Sequence, residues 1–474
     1  MSSPRLQAAV MMAAGKGTRM RSKVSKVLHR VAGETVIARA VSAALQAGIS
    51  SIVVVIGHQA EDVKSALTSR FPEADLRWAI QEEQRGTAHA VMCAEEALGA
   101  FKGDVWILSG DVPTLSKELL EALNSAHSNA DLIVTGMRLD EPKSYGRLLR
   151  DDQGLYAIRE ARDCTPEQLK INEVNAGLYR VDAGLLFAGL KTIKTDNAQG
   201  EYYLTDLVGY AKSIEAHIAC PILEGEDAEQ LEGVNDRLDL ARAEARAQRK
   251  LAEEAMRTGV SLLRPESIHL EEGVTFGEDI LIEEGVSLMG ETHIADDVLI
   301  ERGCYIRDCV IEAGARIKAY SHLEGAHVGE HAEVGPFARL REGALLKTKV
   351  KVGNFVEIKN TMLEEGAKAS HLSYLGDAHI GSRANIGAGT ITCNYDGYRK
   401  HRTEIGANAF IGSDTQLVAP VTVGEGAFVA AGTTVTQDVP PHALSLTRAE
   451  TTHREGWAAH FHAREVERKR ANKA

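Results

Sequence analysis

A glycine-rich turn near the start of the chain has the residue types that bind phosphate. Residues 13–20 read AAGKGTRM and follow an apolar run that predicts a strand. Gly15 and Gly17 let backbone N–H groups approach a phosphate closely, while Arg19 and Lys26 add positive charge. The spacing is neither that of a Walker motif nor that of a dinucleotide fold. The turn suits a nucleoside triphosphate whose charge is neutralised during transfer, and a purely structural turn is the alternative.

A carboxylate suited to a divalent cation follows a second buried run. VWILSG at 105–110 predicts a strand, and Asp111 comes directly after it. Mg²⁺ takes one or two protein ligands and completes its coordination with water and substrate oxygens. Asp111 is therefore the natural metal ligand, although a turn or capping aspartate explains this residue alone equally well.

One histidine in the second half of the chain has the neighbours that a sugar phosphate requires. Imidazole titrates near neutral pH, so His371 can act as a general base. A lone histidine is usually structural, and the hypothesis depends on two cations for the phosphate and two further polar groups. These four residues are Arg341, Lys359, Tyr374 and Asn385.

Alternating strand and helix patterns must position the first two groups. Over roughly the first 230 residues they predict a mostly parallel, Rossmann-like α/β sheet covered on both faces. Ligands bind such sheets at the carboxyl ends of the strands. Asn235 to Arg257 then predicts a connecting helix capped by Asp236. The predicted domains are 1–234, a connecting helix at 235–258, and 259–474.

Aliphatic residues spaced six apart must position His371. Neither a helix nor an alternating strand has this period, which predicts a parallel β-helix of hexapeptide repeats. Stacked coils would bury one continuous core. The spacing is carried by Phe276, Ile282, Leu288, Ile294, Ile300, Ile306, Val328, Val334, Leu340, Leu346, Val352, Ile358, Ile380, Ile386, Ile405, Ile411, Leu417, Val423, Val429 and Val435.

The six-residue spacing fails between Ile358 and Ile380 and again between Thr392 and Ile405, and both interruptions are rich in polar residues. Residues 359–379 include His371, and residues 393–404 read CNYDGYRKHRTE. We expect both segments to be loops extruded from the shaft, where function concentrates. Surface turns without function are the alternative.

Composition excludes several classes of protein. A chain of 474 residues is too long for one core. The net charge of −13 argues against a nucleic-acid partner, and no run reaches membrane-spanning length. Six scattered cysteines and no secretory signal predict free thiols in a reducing cytoplasm. We expect the polar, basic end of the chain to be frayed and solvated; its cations are Arg464, Arg468, Lys469, Arg470 and Lys473.

Several motifs together resemble a known family along nearly the whole chain. AAGKGTRM, GTAHA at 86–90, SGDVP at 109–113 and VNAGLY at 174–179 resemble the sugar-1-phosphate nucleotidyltransferases. With the hexapeptide repeats, HLSYLGD at 371–377 and the NYDG segment, the chain is similar to the bacterial bifunctional N-acetylglucosamine-1-phosphate uridyltransferases/glucosamine-1-phosphate N-acetyltransferases.

For the first domain, the resemblance implies transfer of uridylyl from UTP to N-acetylglucosamine-1-phosphate with release of pyrophosphate. UTP would contact Gly15, Gly17, Arg19, Lys26, Gln81, Gly86 and Thr87. The sugar phosphate would contact Gly146, Glu160, Asn175 and Asn235, and Mg²⁺ would be held by Asp111 and Asn235. Three positions depart from the family pattern and leave the fine sugar contacts open: Ser25, Ser109 and Ala176.

For the second domain, the resemblance implies acetyl transfer from acetyl-CoA to glucosamine-1-phosphate, with His371 deprotonating the amine. The sugar phosphate would contact Arg341, Lys359, Tyr374 and Asn385. Acetyl-CoA would contact Ala388, Asn394, Tyr395, Ser413, Ala431 and Arg448. A left-handed β-helix and a homotrimer are also implied, and an extruded loop could complete a site on a neighbouring subunit.

Two other functions compete with this bifunctional enzyme. A nucleotidyltransferase with a single activity would use the β-helix only for assembly or regulation, and the polar segments around His371 would then have no purpose. A non-catalytic scaffold would have little reason to keep Lys26, Asp111, Asn235 and His371 together.

Overall fold

The computed structural model describes residues 5–57 and 59–472, which form two compact units. One unit runs to Glu254 and includes Leu270–Glu272. The other comprises Ala255–His269 and the chain from Gly273 onwards. Lys473, one of the predicted tail cations, lies outside the described residues. Each unit contains a complete set of elements for its own core.

The first unit is built on a central sheet with helices between its strands. Its strands are β1 (Gln7–Met12), β2 (Arg30–Val31), β3 (Glu34–Thr35), β4 (Ser51–Ile56), β5 (Asp75–Ile80), β6 (Asp104–Ser109), β7 (Leu132–Arg138), β8 (Arg147–Asp151), β9 (Gly154–Arg159), β10 (Glu173–Asp182), β11 (Ile218–Ala219) and β12 (Ile222–Leu223). Its helices are α1 (Val36–Gln46), α2 (Ala60–Arg70), α3 (Thr87–Cys93), α4 (Glu95–Leu98), α5 (Lys117–Ala126), α6 (Ala183–Leu190), α7 (Leu207–Ser213), α8 (Gly225–Glu229) and α9 (Arg237–Arg257).

The order of the strands confirms the predicted Rossmann-like fold and adds antiparallel strands to it. The main path is β11-β7-β10-β6-β1-β4-β5, with β1, β4, β5 and β6 parallel. Alternate residues of β1 pack into two separate cores, Val10 in one and Met11 in the other. This two-sided burial explains why the central strands are apolar throughout. Strand β10 runs antiparallel to both β6 and β7, and its register shifts between Asn175 and Tyr179.

Helix α9 begins where the sequence predicted, after a capping aspartate. The Asp236 side chain accepts hydrogen bonds from the backbone N–H groups of Leu238 (2.9 Å) and Asp239 (3.0 Å). These bonds satisfy donors that the first helical turn leaves without partners. Ala243 and Ala247 are buried in one apolar cluster with Met20, Val31 and Val36. The helix therefore packs against the first unit through its small residues.

The second unit consists of parallel strands in stacked coils, the arrangement of a left-handed parallel β-helix of hexapeptide repeats. The stacked partners Ile282 and Ile300 lie three hexads apart along the chain, whereas Ile300 and Ile317 lie one residue closer. A regular coil therefore takes three hexads or one residue fewer, and the coil from Ile386 to Ile411 is longer because it contains an extruded loop. These core positions are fully buried, and each supports the next across the sheet. The column is Ile282, Ile300, Ile317, Val334, Val352, Ala369, Ile386, Ile411 and Val429.

The strands of the coils are short because each forms one wall of a coil. They are numbered β13 to β40 in chain order: Val260–Leu262, His269–Leu270, Thr275–Phe276, Ile280–Ile282, Ser287–Met289, His293–Ile294, Leu299–Ile300, Tyr305–Arg307, Val310–Ile311, Arg316–Ile317, His322–Glu324, His327–Val328, Glu333–Val334, Arg339–Leu340, Leu345–Leu346, Lys351–Asn354, Glu357–Leu363, Lys368–His371, Tyr374–Ile380, Asn385–Ile386, Ile391–Cys393, Thr403–Ile405, Phe410–Ile411, Gln416–Val418, Val421–Val423, Phe428–Val429, Thr434–Val435 and Leu444–Ser445.

The prediction of an extruded loop at residues 359–379 is wrong, whereas the prediction of one at residues 393–404 is correct. Residues 359–379 lie mostly in strands β29 to β31, and β29 pairs with β31 in continuous register. The spacing failed there because the steps from Ile358 to Leu363 and from Leu375 to Ile380 are one residue shorter than a hexad, with all four side chains buried. The segment after Cys393 does leave the shaft, and Tyr398 at its tip is 93% exposed.

The tail is solvated as predicted, but the prediction that it is frayed is wrong, because much of it is helical. Helix α10 (Trp457–Ala471) buries none of its residues. Its last turn contains Arg468, Lys469 and Arg470, whose charge favours a helix C-terminus. All six cysteines are free. Across the described part of the chain, no helix has the length and apolar composition needed to cross a membrane.

Candidate active sites

Four residues predicted to bind phosphate and metal converge in the first unit. The Lys26 ammonium forms an ion pair with Asp111 and lies 3.5 Å from Asn235 Oδ1. Arg19 Nη2 donates to the same Asn235 oxygen over 3.1 Å. The backbone N–H of Val234 donates to the carbonyl of Asp111 over 2.8 Å, which holds the two segments together. The site therefore has two cations beside two oxygen donors.

Asp111 and Asn235 have the chemistry of a divalent-cation site. Their side-chain oxygens converge on one positive group, the Lys26 ammonium. Carboxylate and amide oxygens are the donors that hard divalent ions prefer, and such ions keep further positions for substrate oxygens. Within the described residues, no group of three or more His, Cys, Asp or Glu side chains can hold a metal. The carboxylate–amide pair suits a divalent ion that takes few protein ligands.

The glycine-rich turn leaves open space beside these charges. Gly17 has φ of +58°, and a Cβ there would lie 2.6 Å from Lys26 Cβ, so only glycine fits. A Cβ on Gly15 would meet no atom within 4 Å. The backbone at Gly15 is therefore accessible to a ligand. Ser25 precedes the single 3₁₀ turn Lys26–Leu28, at the position where the family pattern has proline.

Three of the residues predicted to bind UTP combine a buried amide with a tight glycine turn. Gln81 follows β5 and is 5% exposed. Gly86 has φ of +109°, and a Cβ there would lie 2.5 Å from the carbonyl oxygen of Tyr202. Thr87 Oγ1 accepts from the backbone N–H of Leu204 over 3.0 Å. Gly86 and Thr87 are therefore fixed against the segment around Tyr202, a neighbour that sequence reasoning did not assign.

Three of the four residues predicted to bind the sugar phosphate are also adjacent: Gly146, Glu160 and Asn175. The backbone N–H of Asn175 donates to Gly146 O over 2.8 Å, and a Cβ on Gly146 would lie 3.3 Å from Glu160 Oε1. Burial raises the pKa of Glu160, and the charges of Asp163 and Asp206 raise it further. A half-buried carboxylate that is costly to ionise can accept hydrogen bonds from sugar hydroxyls once a ligand covers it.

Two departures from the family pattern meet at one place. Ala176 lies in the irregular part of β10, and a Cβ on its neighbour Gly177 would lie 4.0 Å from Ser109 Oγ. Tyr145, beside Gly146, has its phenol pKa raised to about 12 by burial, then by the charges of Glu232 and Asp111. Tyr145, the neighbour of Gly146, therefore lies within electrostatic reach of Asp111, the predicted metal ligand.

In the second unit, one edge of the shaft aligns His371 with three predicted acetyl-CoA residues. His371, Ala388, Ser413 and Ala431 each lie two residues after a stacked core position, on successive coils. Backbone hydrogen bonds connect these coils, including Asp414 N to Ala388 O (2.7 Å). We call this row, with Asn354 on the preceding coil, the histidine column. It places a base beside an edge with small side chains.

Sequence reasoning missed Asn354, which orients the base. Its Cα pairs with that of His371, and Asn354 Oδ1 lies 2.8 Å from His371 Nδ1. An amide oxygen accepts, so Nδ1 carries the proton and Nε2 keeps the lone pair. The only signal was spacing, because Asn354 precedes His371 along the chain by the length of one coil.

A second cluster lies at the next edge of the same coils. Asn394 Nδ2 donates to Asp377 Oδ2 over 2.5 Å and lies 3.5 Å from the Tyr374 hydroxyl. Lys359 Nζ is 4.0 Å from the same Asp377 oxygen. Burial raises the pKa of Asp377, but hydrogen bonds from Asn360 and Asn394 and the charge of Lys359 hold it below its ordinary value. Asp377 was not predicted, and it contacts two residues that were, Lys359 and Asn394.

The extruded loop brings another cation to this cluster. The neighbouring Lys359 lowers the pKa of Lys400 through a side-chain contact and its charge. Two ammonium groups close together suit a bound anion. At the start of the loop, Tyr395 is 62% exposed, and its hydroxyl donates to Gly397 O over 2.6 Å.

Three predicted residues form no hydrogen bond or ion pair with His371 within the described part of the chain. Arg341 pairs with Glu357 at 3.0 Å. Asn385 is half-buried in the short strand Asn385–Ile386, and Arg448 is exposed beyond the last strand. Among the described residues, no hydrogen bond or ion pair connects any of the three to the base. The predicted acetyltransferase site is thus only partly assembled by contacts within one chain.

Three family models match this chain. The MobA-like NTP transferase domain matches residues 9–164, in the first unit. The GMPPB C-terminal domain matches residues 270–363, and the bacterial transferase hexapeptide (six repeats) matches residues 402–437. The nucleotide-binding turn and the repeats therefore each have a counterpart among known families.

Curated relatives match both units at once. Proteins named bifunctional protein GlmU are 47% identical to this chain in Pelobacter propionicus and 45% identical in Geobacter sulfurreducens, in each case over 95% of the chain. The alignments cover 97% and 98% of those relatives. The protein of the same name from Anaeromyxobacter dehalogenans is 49% identical over 95% of the chain and 92% of its own length.

Proposed function

The chain belongs to the family of bifunctional GlmU proteins, and from this premise we propose how its residues carry out two transfer reactions. It is a bifunctional enzyme that makes UDP-N-acetylglucosamine. The hexapeptide domain transfers acetyl from acetyl-CoA to glucosamine-1-phosphate, and the nucleotidyltransferase domain transfers uridylyl from UTP to the product. Its substrates are small molecules, and the nucleotidyltransferase reaction uses a divalent metal.

We propose that the metal is Mg²⁺, held by Asp111 and Asn235. The convergence of their oxygens on the Lys26 ammonium supports this assignment. Mg²⁺ is suited to few protein ligands and several substrate oxygens, and when bound it offsets the charge of the triphosphate. Arg19 and Lys26 supply the remaining positive charge, and the backbone around Gly15 has space for phosphate oxygens.

The uridylyl transfer requires positioning more than a protein nucleophile. A phosphate oxygen of N-acetylglucosamine-1-phosphate attacks the α-phosphorus of UTP, and the bond to the bridging oxygen breaks to release pyrophosphate. Gly146, Glu160 and Asn175 hold the sugar, while Gln81, Gly86 and Thr87 hold the base. Alignment and charge neutralisation account for most catalysis of such transfers.

The acetyl transfer uses His371 as general base. Nε2 of His371 accepts a proton from the amine of glucosamine-1-phosphate while the nitrogen attacks the thioester carbonyl. The C–S bond breaks, and the proton held on Nε2 of His371 passes to the departing sulfur, so CoA leaves as the thiol. Lys359, Tyr374, Arg341 and Asn385 bind the sugar phosphate. Acetyl-CoA follows the histidine column through Ala388, Ser413 and Ala431, with Asn394, Tyr395 and Arg448 as further contacts.

We also propose that the active enzyme is a cytoplasmic homotrimer with acetyltransferase sites completed between subunits. Among the described residues, Arg341, Asn385 and Arg448 form no hydrogen bond or ion pair with His371, and this supports a contribution from a second copy. The extruded loop exposes Tyr395 and Tyr398, large apolar surfaces that suit a protein contact. UTP and acetyl-CoA are cytoplasmic metabolites, which supports the location.

Single variants should separate the two activities. Asp111→Asn removes the metal carboxylate and should lower pyrophosphate release from UTP and N-acetylglucosamine-1-phosphate by at least about 100-fold. It should leave CoA release from acetyl-CoA and glucosamine-1-phosphate unchanged. His371→Ala should do the reverse, with a loss of about 100-fold or more.

Each variant serves as the folding control of the other, because one activity should persist in it. Unchanged CoA release in His371→Ala would show that the base is another residue. Native protein that releases pyrophosphate but no CoA thiol would instead be a nucleotidyltransferase with a structural β-helix.

A further inference from the structure

Gln81 is a buried amide whose two N–H groups are both used by the protein. Its Nε2 lies 3.2 Å from the carbonyl oxygen of Gly86 and 3.1 Å from Nδ1 of His89. A backbone carbonyl can only accept, so the nitrogen of the amide must face Gly86. The second N–H then points to His89, whose Nδ1 must carry its lone pair to accept it.

The oxygen of the same amide is the part that remains for a ligand. No hydrogen bond among the described residues uses Gln81 Oε1. Within the described chain, this oxygen is not one of the fully buried polar atoms without a partner. It therefore faces accessible space. The base site therefore presents a hydrogen-bond acceptor whose orientation is fixed from behind.

His89 is itself held in place. It lies on α3, and its ring stacks on Tyr202 with 6.3 Å between ring centres and 28° between the planes. The backbone N–H of Ala88 donates to Tyr202 O over 2.9 Å, and the Arg85 guanidinium lies 5.1 Å from the centre of the Tyr202 ring. These contacts limit rotation of His89 and keep Nδ1 directed at Gln81.

We propose that His89 is a specificity-determining positioning residue that makes the nucleotide site select uracil over cytosine. The inference rests on the proposed uridylyl transfer with Gln81 facing the base. Uracil has one ring donor, N3–H, between two carbonyl acceptors, so a protein acceptor that recognises uracil must face N3–H. Cytosine has a lone pair at N3, which would face Gln81 Oε1 without a proton between them.

Two substitutions separate the hydrogen bond from the packing of the ring. His89→Phe keeps an aromatic ring beside Tyr202 but has no acceptor. His89→Asn loses the ring, but its amide oxygen can occupy the position of Nδ1. The measurement is kcat/KM for UTP and for CTP in the pyrophosphate-release assay, using the full-length enzyme with N-acetylglucosamine-1-phosphate.

We expect His89→Phe to lower the UTP:CTP ratio by about threefold to tenfold, the effect of one lost hydrogen bond. His89→Asn should keep the ratio within about twofold of the native value. A histidine needed only for packing would give the opposite order. An unchanged ratio in His89→Phe, or equal losses with both nucleotides, would overturn the proposal. His89→Leu is a second variant without an acceptor if the larger ring does not fit.

His217→Phe is the matched control in the same unit. Its Nδ1 lies 3.1 Å from the carbonyl oxygen of Asn129, a backbone contact with no connection to Gln81. It should leave the UTP:CTP ratio unchanged, and an equal change in both variants would contradict the proposal. Native enzyme that fails to use UTP would refute the uridylyl transfer itself, whereas active enzyme with an unaltered ratio in His89→Phe would refute only the role of His89.

Discussion

Asn354 determines which nitrogen of His371 is free, and this pairing could not be read from the sequence. The residues lie one coil apart and meet because their strands pair in register. Motifs did locate Lys26, Asp111 and Asn235, because each lies in a run whose residue types and order are distinctive. Asn354 and His89 have no such run. Their roles come from hydrogen bonds of single side chains, which appear only in three dimensions.

The tautomer of His371 can be tested by removing its partner. Asn354→Leu should lower kcat of acetyl transfer by about tenfold, because Nδ1–H loses its acceptor and the free lone pair is no longer fixed on Nε2. KM for glucosamine-1-phosphate should change little. Asn354→Asp should retain most activity, since a carboxylate also accepts from Nδ1–H. Steady-state CoA release provides the measurement, and equal losses in both variants would show that Asn354 is needed only for folding.

We expect Glu160 to lower the stability of the folded protein at pH 7 and to contribute to sugar binding. Burial raises its folded-state pKa, so the folded protein binds the proton more tightly than the unfolded chain does. Its contribution to stability therefore falls as pH rises above the ordinary glutamate range. Glu160→Gln should raise Tm at pH 7, and the difference from native protein should shrink as pH falls below the ordinary glutamate pKa.

The same substitution should raise KM for N-acetylglucosamine-1-phosphate by about tenfold through loss of a strong acceptor. Calorimetry at several pH values, together with pyrophosphate release, provides the measurement. A Tm that falls at pH 7 would contradict this account, because it would mean that the ionised carboxylate is stabilising.

At the scale of the element, the β-helix was predictable because its period is unlike that of a helix or a strand. The shortened steps were not, since a step from Ile358 to Leu363 looks like the end of a repeat when only the spacing is known. In the structure it closes a coil that is one residue short of three hexads and keeps its core intact. The extruded loop after Cys393 differs physically, because it carries polar residues at positions that would otherwise face the shaft.

Close approach between coils can be tested at Gly353, next to the histidine column. A Cβ there would lie 1.9 Å from the carbonyl oxygen of Ser370, so Gly353→Ala must push two coils apart. We expect a loss of at least about 2 kcal/mol in the stability of the β-helix and a large loss of CoA release. Pyrophosphate release measured below the unfolding temperature should persist.

Gly209→Ala provides the control for this substitution. Gly209 lies in α7, where a Cβ would meet no atom within 4 Å, so alanine should stabilise the protein by up to about 1 kcal/mol. Equal destabilisation by both substitutions, measured by denaturant unfolding, would mean that close approach between coils is not the cause of the effect at Gly353.

At the scale of the whole molecule, each unit has its own buried core and supplies its own set of chemical groups. Arg19, Lys26, Asp111 and Asn235 all belong to the first unit, and the histidine column belongs to the second. The net charge of −13 does not prevent the binding of anions, because the cations close to a site decide whether an anion binds there. The sequence indicated two reactions because each set of motifs is confined to one part of the chain.

The proposed assembly has a direct measurement. Light scattering coupled to gel filtration should give a mass close to three times the 51.2 kDa of one chain. The value should not change over a tenfold range of protein concentration if the acetyltransferase site needs a neighbouring subunit. A 51.2 kDa species with full CoA release would contradict sites completed between subunits.

The stacking of the histidine column also limits how this protein can change its length during evolution. Adjacent strands lie about 4.8 Å apart, so the five coils from Asn354 to Ala431 span about 19 Å. A single inserted residue can be taken up within a coil, since coils of three hexads and coils one residue shorter both keep their core, whereas a longer insertion needs a loop or a whole additional coil. Insertions that lengthen the histidine column should therefore come in whole coils, each adding one fixed step of about 4.8 Å. The backbone hydrogen bonds between coils therefore set the increments in which this edge of the shaft can lengthen.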